Sequence, residues 1–147
     1  MKIRKWEYKD ILRISQIEAE CFPQEPWSFQ MLASSFDTES FHGVLAEDGG
    51  EIIGYGGITV AADTADIANV AVTEPYRHSG VGTAIIEELL KTASALGAKK
   101  VFLEVRVSNS IAMELYLKSG FKGAYARTRY YSDGEDCLVM VRTIDHN

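Results

Sequence analysis

A chain of 147 residues, 46% hydrophobic and 24% charged, is long enough to bury one core and too balanced in composition for a disordered or fibrous protein. A net charge of -6 and an isoelectric point near 5.1 exclude a general nucleic-acid binder, which needs a basic footprint, and leave room for a basic protein substrate. Lys2, Arg4, Lys5, Glu7, Lys9 and Asp10 occupy the start, where a secretory signal would be apolar, and no apolar run nears the ~20 residues of a membrane span. A soluble cytoplasmic protein of one domain, residues 1–147, with no membrane partner and no direct nucleic-acid partner, is expected.

Met1 to Trp6 alternates as an edge strand, and Asp10 caps a helix in which Ile11, Ile14, Ile17 and Ala19 recur at helical spacing. Phe22-Pro23 and Pro26-Trp27 break that helix, and Ser28 caps a second, short one through Met31 and Leu32, with Phe36 near its end. Gly43 to Glu47 and Ile52 to Val60 are apolar runs around Glu47-Asp48-Gly49-Gly50, a hairpin signal. In Ala65 to Val72, the near-continuous Ile67, Ala68, Val70, Ala71 and Val72 predict a central strand buried on both faces.

From Gly82 the period changes: Ile85, Ile86, Leu89, Leu90, Ala93 and Leu96 make an amphipathic helix that Gly97 stops. Val101, Leu103 and Val105 mark a strand whose other face carries Phe102, Glu104 and Arg106. Asn109 or Ser110 caps a helix to Ser119, ended by Gly120. Phe121 to Thr128 and Asp136 to Arg142 pair antiparallel around a turn at Asp133-Gly134. The fold class is α+β, a mixed, mostly antiparallel sheet of about seven strands with four flanking helices.

Cys21 and Cys137 lie far apart without CxxC or Cys/His spacing, so two reduced structural thiols and no metal are expected. The chemistry concentrates instead in Thr73 to Thr83, between the central strand and the amphipathic helix. Gly80 and Gly82 at the helix start let backbone approach a ligand, and the first-turn amides point outward with a favourable dipole. Arg77 and the hydroxyls of Ser79 and Thr83 can add to this anion site. The bland alternative is that the two glycines only shape a tight loop. A nucleoside-triphosphate loop needs a lysine where Gly82 meets Thr83, and a dinucleotide fold needs a third glycine where Ile85 stands.

The run Arg77-x-x-Gly80-x-Gly82 between a buried strand and an amphipathic helix resembles the acetyl-coenzyme A motif of the GNAT N-acetyltransferases. Asn109, the helix Ala112 to Ser119 with Tyr116, and Gly120-Phe121 are similar to that family's second block. More narrowly, several segments resemble the family's enzymes for the N-terminal alanine of ribosomal protein S18. These are Pro26-Trp27-Ser28, Asn69-Val70-Ala71-Val72, Leu103-Glu104-Val105-Arg106-x-Ser108-Asn109 and Tyr130-Tyr131, followed by Asp133, Asp136 and Met140. The resemblance implies a GNAT fold along nearly the whole chain and acetyl-CoA as co-substrate.

By the same resemblance, Val70, Ala71 and Val72 pair through their backbone with the pantetheine arm. His78, Ser79, Gly80, Val81, Gly82 and Thr83 hold the pyrophosphate, and Asn109 contacts the cofactor near the thioester. Glu104 is implied as general base and Tyr116 as general acid, with the N-terminus of a protein as partner. His78 departs from the family's usual Gln or Arg, and Cys137 replaces a common alanine with no role attached.

These roles make chemical demands. An α-ammonium with a pKa near 8 must lose its proton before attack, and a carboxylate at the reference value of about 4.3 accepts it uphill by roughly 3.5 units. A glutamate base therefore needs desolvation or a relaying water. Phe102 could desolvate Glu104, whereas Arg106 on the same face would pair with it, which is the structural alternative for Glu104. A phenol near 10 suits a departing thiolate, and the alternative for Tyr116 is a core aromatic beside Ala112 and Leu115. An amide near Val70 to Val72 would hold the developing oxyanion, and direct attack in a ternary complex is preferred because neither cysteine lies in the cofactor block. Trp27, Tyr130 and Tyr131 are candidates for the acceptor groove, with packing against the sheet as the alternative for each. Acetylation of another N-terminus, a lysine or a small amine stays open at this point, as does a non-catalytic acyl-CoA-binding module.

Overall fold

The structure is a computed structural model that describes residues 1–145. Its seven strands are β1 (Lys2–Lys5), β2 (Phe41–Asp48), β3 (Glu51–Ala61), β4 (Thr64–Val72), β5 (Lys100–Arg106), β6 (Lys122–Arg127) and β7 (Cys137–Thr143). The helices are α1 (Ile11–Cys21), α2 (Phe29–Phe36), α3 (Val81–Ala95) and α4 (Ser110–Lys118), with 3-10 turns at Tyr8–Asp10 and Glu74–Tyr76. One sheet holds all the strands in the order β1-β2-β3-β4-β5-β7-β6, antiparallel except for the β4–β5 pair. This is the GNAT architecture that the resemblance implies.

Local chemistry accounts for most element ends. Ser28 Oγ accepts from the amide of Met31, Asn109 Oδ1 accepts from that of Ala112, and Gly97 and Gly120 take the left-handed conformation after α3 and α4. Asp10 behaves differently from the expected cap. It closes the preceding 3-10 turn, and its carboxylate accepts from the Glu7 amide at 2.7 Å and, in bidentate fashion, from Arg4 at 2.8 and 3.0 Å.

The helices cover both faces of the sheet. Ile11, Ile14 and Ile17 of α1 and Leu32 of α2 pack with Trp6, Leu45, Tyr55 and Ala71 on one side. Ile85, Ile86 and Leu89 of α3 and Tyr116 of α4 pack with Ile53, Ile58, Leu103 and Val105 on the other. Each such aliphatic side chain removed from water contributes ~1.5–3 kcal/mol, which holds the site's supporting elements in place.

Two irregularities open the middle of the sheet. Gly57 pairs with Asn69 but Ile58 pairs with Ile67, so Ala68 is an extra residue in β4, a β-bulge. Ala65 and Ile67 face the α3 side; past the bulge the phase changes, and Val70 takes that side while Ala71 faces α1. The expected central strand is present, and its apolar run spans a change of phase at this point. The β4–β5 ladder also stops at Ile67–Leu103, one residue before the bulge, while β5 continues against β7 as far as Arg106. β4 and β5 therefore part, leaving one edge of Ala68–Val72 without a ladder partner.

Candidate active site

The gap between the parted strands is the mouth of a cleft of about 1120 Å³. Asn69 to Val72 line one wall, Leu103 to Arg106 the other, and the N-terminal ends of α3 and α4 and the loop after α1 complete it. A space of this size suits a large cofactor together with part of an acceptor.

At the start of α3, His78 and Gly80 adopt positive φ of 63° and 89° and curl the chain before the helix, the kind of turn that gathers backbone N–H groups into an anion-binding concavity. A side chain at Gly80 would meet nothing within 4 Å, so this glycine serves backbone conformation and leaves the approach open. Gly82 has another reason: a Cβ there would lie 2.9 Å from Leu115 Cδ2, so its smallness lets α3 pack against α4. The two glycines are thus required for different local reasons, and both line the cleft. His78, Gly80, Gly82 and Thr83 line the cleft; Ser79 and Val81 are not in its lining, Val81 packs into the core, and the Ser79 hydroxyl donates to the Tyr76 carbonyl.

Arg77 also lines the cleft, but its side chain folds back onto the end of β4. Nε donates to the Val72 carbonyl at 3.0 Å and Nη2 lies 3.5 Å from Cys21 Sγ. In this position the guanidinium braces the strand end. Asn109 uses Oδ1 as the α4 cap at 3.1 Å, and its amide nitrogen makes no hydrogen bond among the described residues.

Glu104 and Tyr116 line the same cleft from different elements, β5 and α4. Glu104 is 41% exposed; Tyr130 donates to its Oε1 at 3.2 Å, and Arg127 Nε lies 3.4 Å from its Oε2. Arg106, the partner that the structural alternative for Glu104 required, is engaged elsewhere, with Asp133 at 2.8 Å, Glu135 at 3.0 Å and Glu25 at 3.7 Å. Cys137, to which no role was attached, is buried with its Sγ 3.9 Å from Glu104 Oε2, and burial pushes its thiol up. Tyr116 is buried against Phe121 with ring centroids 6.1 Å apart, and burial pushes its phenol up to about 12. It is both a core aromatic and a cleft residue, so the two readings of it are compatible.

The acceptor candidates meet at the other end. Tyr130 and Tyr131 stack edge to face at 5.1 Å, the Arg106 guanidinium lies 4.0 Å above the Tyr131 ring, and Trp27 is half-buried in the facing loop. Glu25 ties that loop to the turn after the tyrosines by accepting from the amide of Ser132 at 2.8 Å.

One site residue escaped the sequence reading. Glu18 is fully buried on α1, lines the cleft, and accepts from Tyr55 Oη at 2.5 Å, Asn69 Nδ2 at 2.8 Å and the Trp27 amide at 3.0 Å. Burial raises its pKa against these three bonds. A signal was present: Glu18 stands seven residues after Ile11 and four after Ile14, on the apolar stripe where a charge is out of place.

Comparison with known proteins gives the same assignment. Residues 11–121 match the model of the acetyltransferase (GNAT) family. The chain is 34% identical over 122 residues to the [ribosomal protein bS18]-alanine N-acetyltransferase of Escherichia coli strain K12, covering 81% of this chain and 82% of that one. It is 31% identical over 152 residues to an N-alpha-acetyltransferase of Sulfurisphaera tokodaii, covering 95% and 90%. The crystal structure of the ribosomal-protein-S18-alanine N-acetyltransferase from Escherichia coli superposes with a TM-score of 0.88 at 31% identity, over 99% of this chain and 95% of that one. With its parted strands, its curled helix entrance and these relatives, the chain belongs to the GNAT family and is an acetyltransferase.

Proposed function

We propose that the protein transfers acetyl from acetyl-CoA to the N-terminal α-amino group of a protein, the N-terminal alanine of ribosomal protein S18, by direct attack in a ternary complex. The observation that carries this reading is the meeting of Glu104 and Tyr116 in one cleft with the free edge of β4 and the N-terminus of α3. The acceptor comes from likeness to the Escherichia coli relative, whose name states that substrate. A ribosomal acceptor puts the reaction in the cytoplasm.

Acetyl-CoA fits the residues present. The amides from His78 to Thr83 would hold the pyrophosphate, the unpaired backbone edge of Val70 to Val72 would pair with the pantetheine arm, and Asn109 would contact the cofactor near the thioester. Bound there, the co-substrate supplies an activated acetyl group. Trp27, Tyr130 and Tyr131 enclose the acceptor terminus.

Glu104 receives the proton of the α-ammonium. Being 41% exposed, it does so through a relaying water, and Tyr130 orients one of its oxygens. Tyr116 stabilises the departing thiolate by donating a hydrogen bond. With its phenol at about 12 against a thiol near 8.5, full transfer of its proton is uphill by ~3.5 units, or ~5 kcal/mol, more than an unperturbed tyrosine would meet. The burial that makes Tyr116 a poor acid keeps it protonated and donating. Cys21 and Cys137 both have thiols pushed up by burial, which disfavours a thiolate nucleophile and supports direct attack.

Intact-mass comparison of S18 from cells with and without this protein tests the acceptor. Unacetylated S18 on deletion, restored by the wild-type chain, is expected. Equal acetylation in both strains would overturn it, and a purified protein that consumes no acetyl-CoA with any alanine-starting peptide would overturn the N-terminal reaction itself.

A further inference from the structure

A buried carboxylate costs several kcal/mol of desolvation unless its lone pairs are met, and an apolar residue at position 18 would simply continue the stripe of Ile11, Ile14 and Ile17. The three donors that Glu18 gathers are therefore informative. Tyr55 comes from β3, in the sheet beneath α1; Asn69 is the residue that follows the bulge; the Trp27 amide opens the loop facing the tyrosines. Two of these three groups lie at irregular parts of the cleft walls. Asn69 precedes Val70 to Val72, whose edge is unpaired on the β5 side, and Trp27 sits between two prolines and a helix cap, outside any regular element. Tyr55 is fully buried and supplies the fixed point.

We propose that Glu18 is a positioning residue that pins the β4 bulge and the Trp27 loop to one carboxylate. It sets the distance between the wall that holds the acetyl donor and the wall that holds the acceptor. It acts through Asn69 and Trp27 and does not touch the reacting atoms. The chemistry of the bonds supports this geometry. One oxygen serves Tyr55 and Asn69, and the other serves the loop, so the two walls share a single rigid planar group. Glutamine cannot replace it fully, because its amide nitrogen must face at least one of the three donors. The effect on turnover rests on the acetyl-transfer reading of the cleft; the pinning itself does not.

Two measurements keep those apart. Amide hydrogen exchange of the wild-type protein, Glu18→Ala and Glu18→Gln reads the pinning without any reaction. Faster exchange in the bulge segment 68–71 and in the 24–28 loop together, with α3 and β5 still protected, is expected. Unchanged exchange in either segment, or loosening confined to α1, overturns the proposal. Steady-state kinetics with an alanine-starting peptide, on the folded fraction, then read the consequence. Glu18→Ala should raise the acceptor KM and lower kcat by about tenfold or more, since misplacement of reacting groups by about 1 Å is worth ~10²-fold. Asn69→Ala should do the same, and the double variant should be no worse than the poorer single one. Wild-type kinetics in Glu18→Gln, or losses that multiply in the double variant, would overturn the shared anchor. If Glu18→Ala fails to fold, Glu18→Gln carries both measurements.

Discussion

The hydroxyl of Tyr130 donates to Oε1 of Glu104 across 3.2 Å, and Arg127 approaches the opposite oxygen at 3.4 Å. A residue of the acceptor side thus touches the proposed proton acceptor directly, and glutamine at 104 would keep the Tyr130 bond while removing the basic oxygen. Glu104→Gln should lower kcat by about 10²-fold or more and leave coenzyme A affinity unchanged by calorimetry. Full turnover at saturating peptide would exclude Glu104 from the chemistry.

Tyr116 titrates far above neutrality, its phenol pushed up to about 12 by burial. It stays protonated across the working range, so the pH–rate profile of the wild type should show no loss of activity from this group below about pH 11. Tyr116→Phe should cost ~10²-fold in kcat, the usual worth of a donor to developing negative charge, with little change in acceptor KM. A variant with wild-type kcat would leave Tyr116 as a core aromatic only.

Gly82 is closed by Leu115, whose Cδ2 would stand 2.9 Å from an added Cβ. Gly82→Ala should destabilise by about 1 kcal/mol, towards the lower end for overpacking because the obstructing atom is the tip of a flexible side chain. Adding Leu115→Ala should make the alanine at 82 nearly neutral in a double-mutant cycle followed by urea melts. Equal cost in both backgrounds would mean that Gly82 is needed for backbone reasons.

Asp10 is held by Arg4 at 2.8 and 3.0 Å and is 5% exposed, and this guanidinium keeps its carboxyl below the usual aspartate range. A lowered folded pKa gives stability that is complete above the unfolded value near 3.9 and is lost as pH falls through the folded one. Asp10→Asn should therefore be less stable by roughly 2 kcal/mol at pH 7, and the gap should shrink below about pH 4. Urea midpoints at pH 7, 5, 4 and 3 check the sign; a gap that grows with acidity would contradict it.

Some features of this protein are written locally. The Ser28 and Asn109 caps, the Gly97 and Gly120 stops, the Gly49-Gly50 hairpin and the apolar stripe of α3 each depend on side chains within one or two turns of one another. For that reason residue spacing was enough to read the order of strands and helices, and the glycine loop in its flanking elements marked the cleft. Tertiary structure decided the rest. Ala68 becomes a bulge only when β4 meets the register of β3, and Glu104 meets Arg127 instead of Arg106 because β7 and the turn before it draw Arg106 towards Asp133 and Glu135. Arg77 turns back to a strand end, and Glu18 finds Tyr55 and Asn69 at separations of 37 and 51 residues. Spacing along a chain reports which face of an element a residue occupies; which donors meet a buried carboxylate is set only when separate elements close on one another.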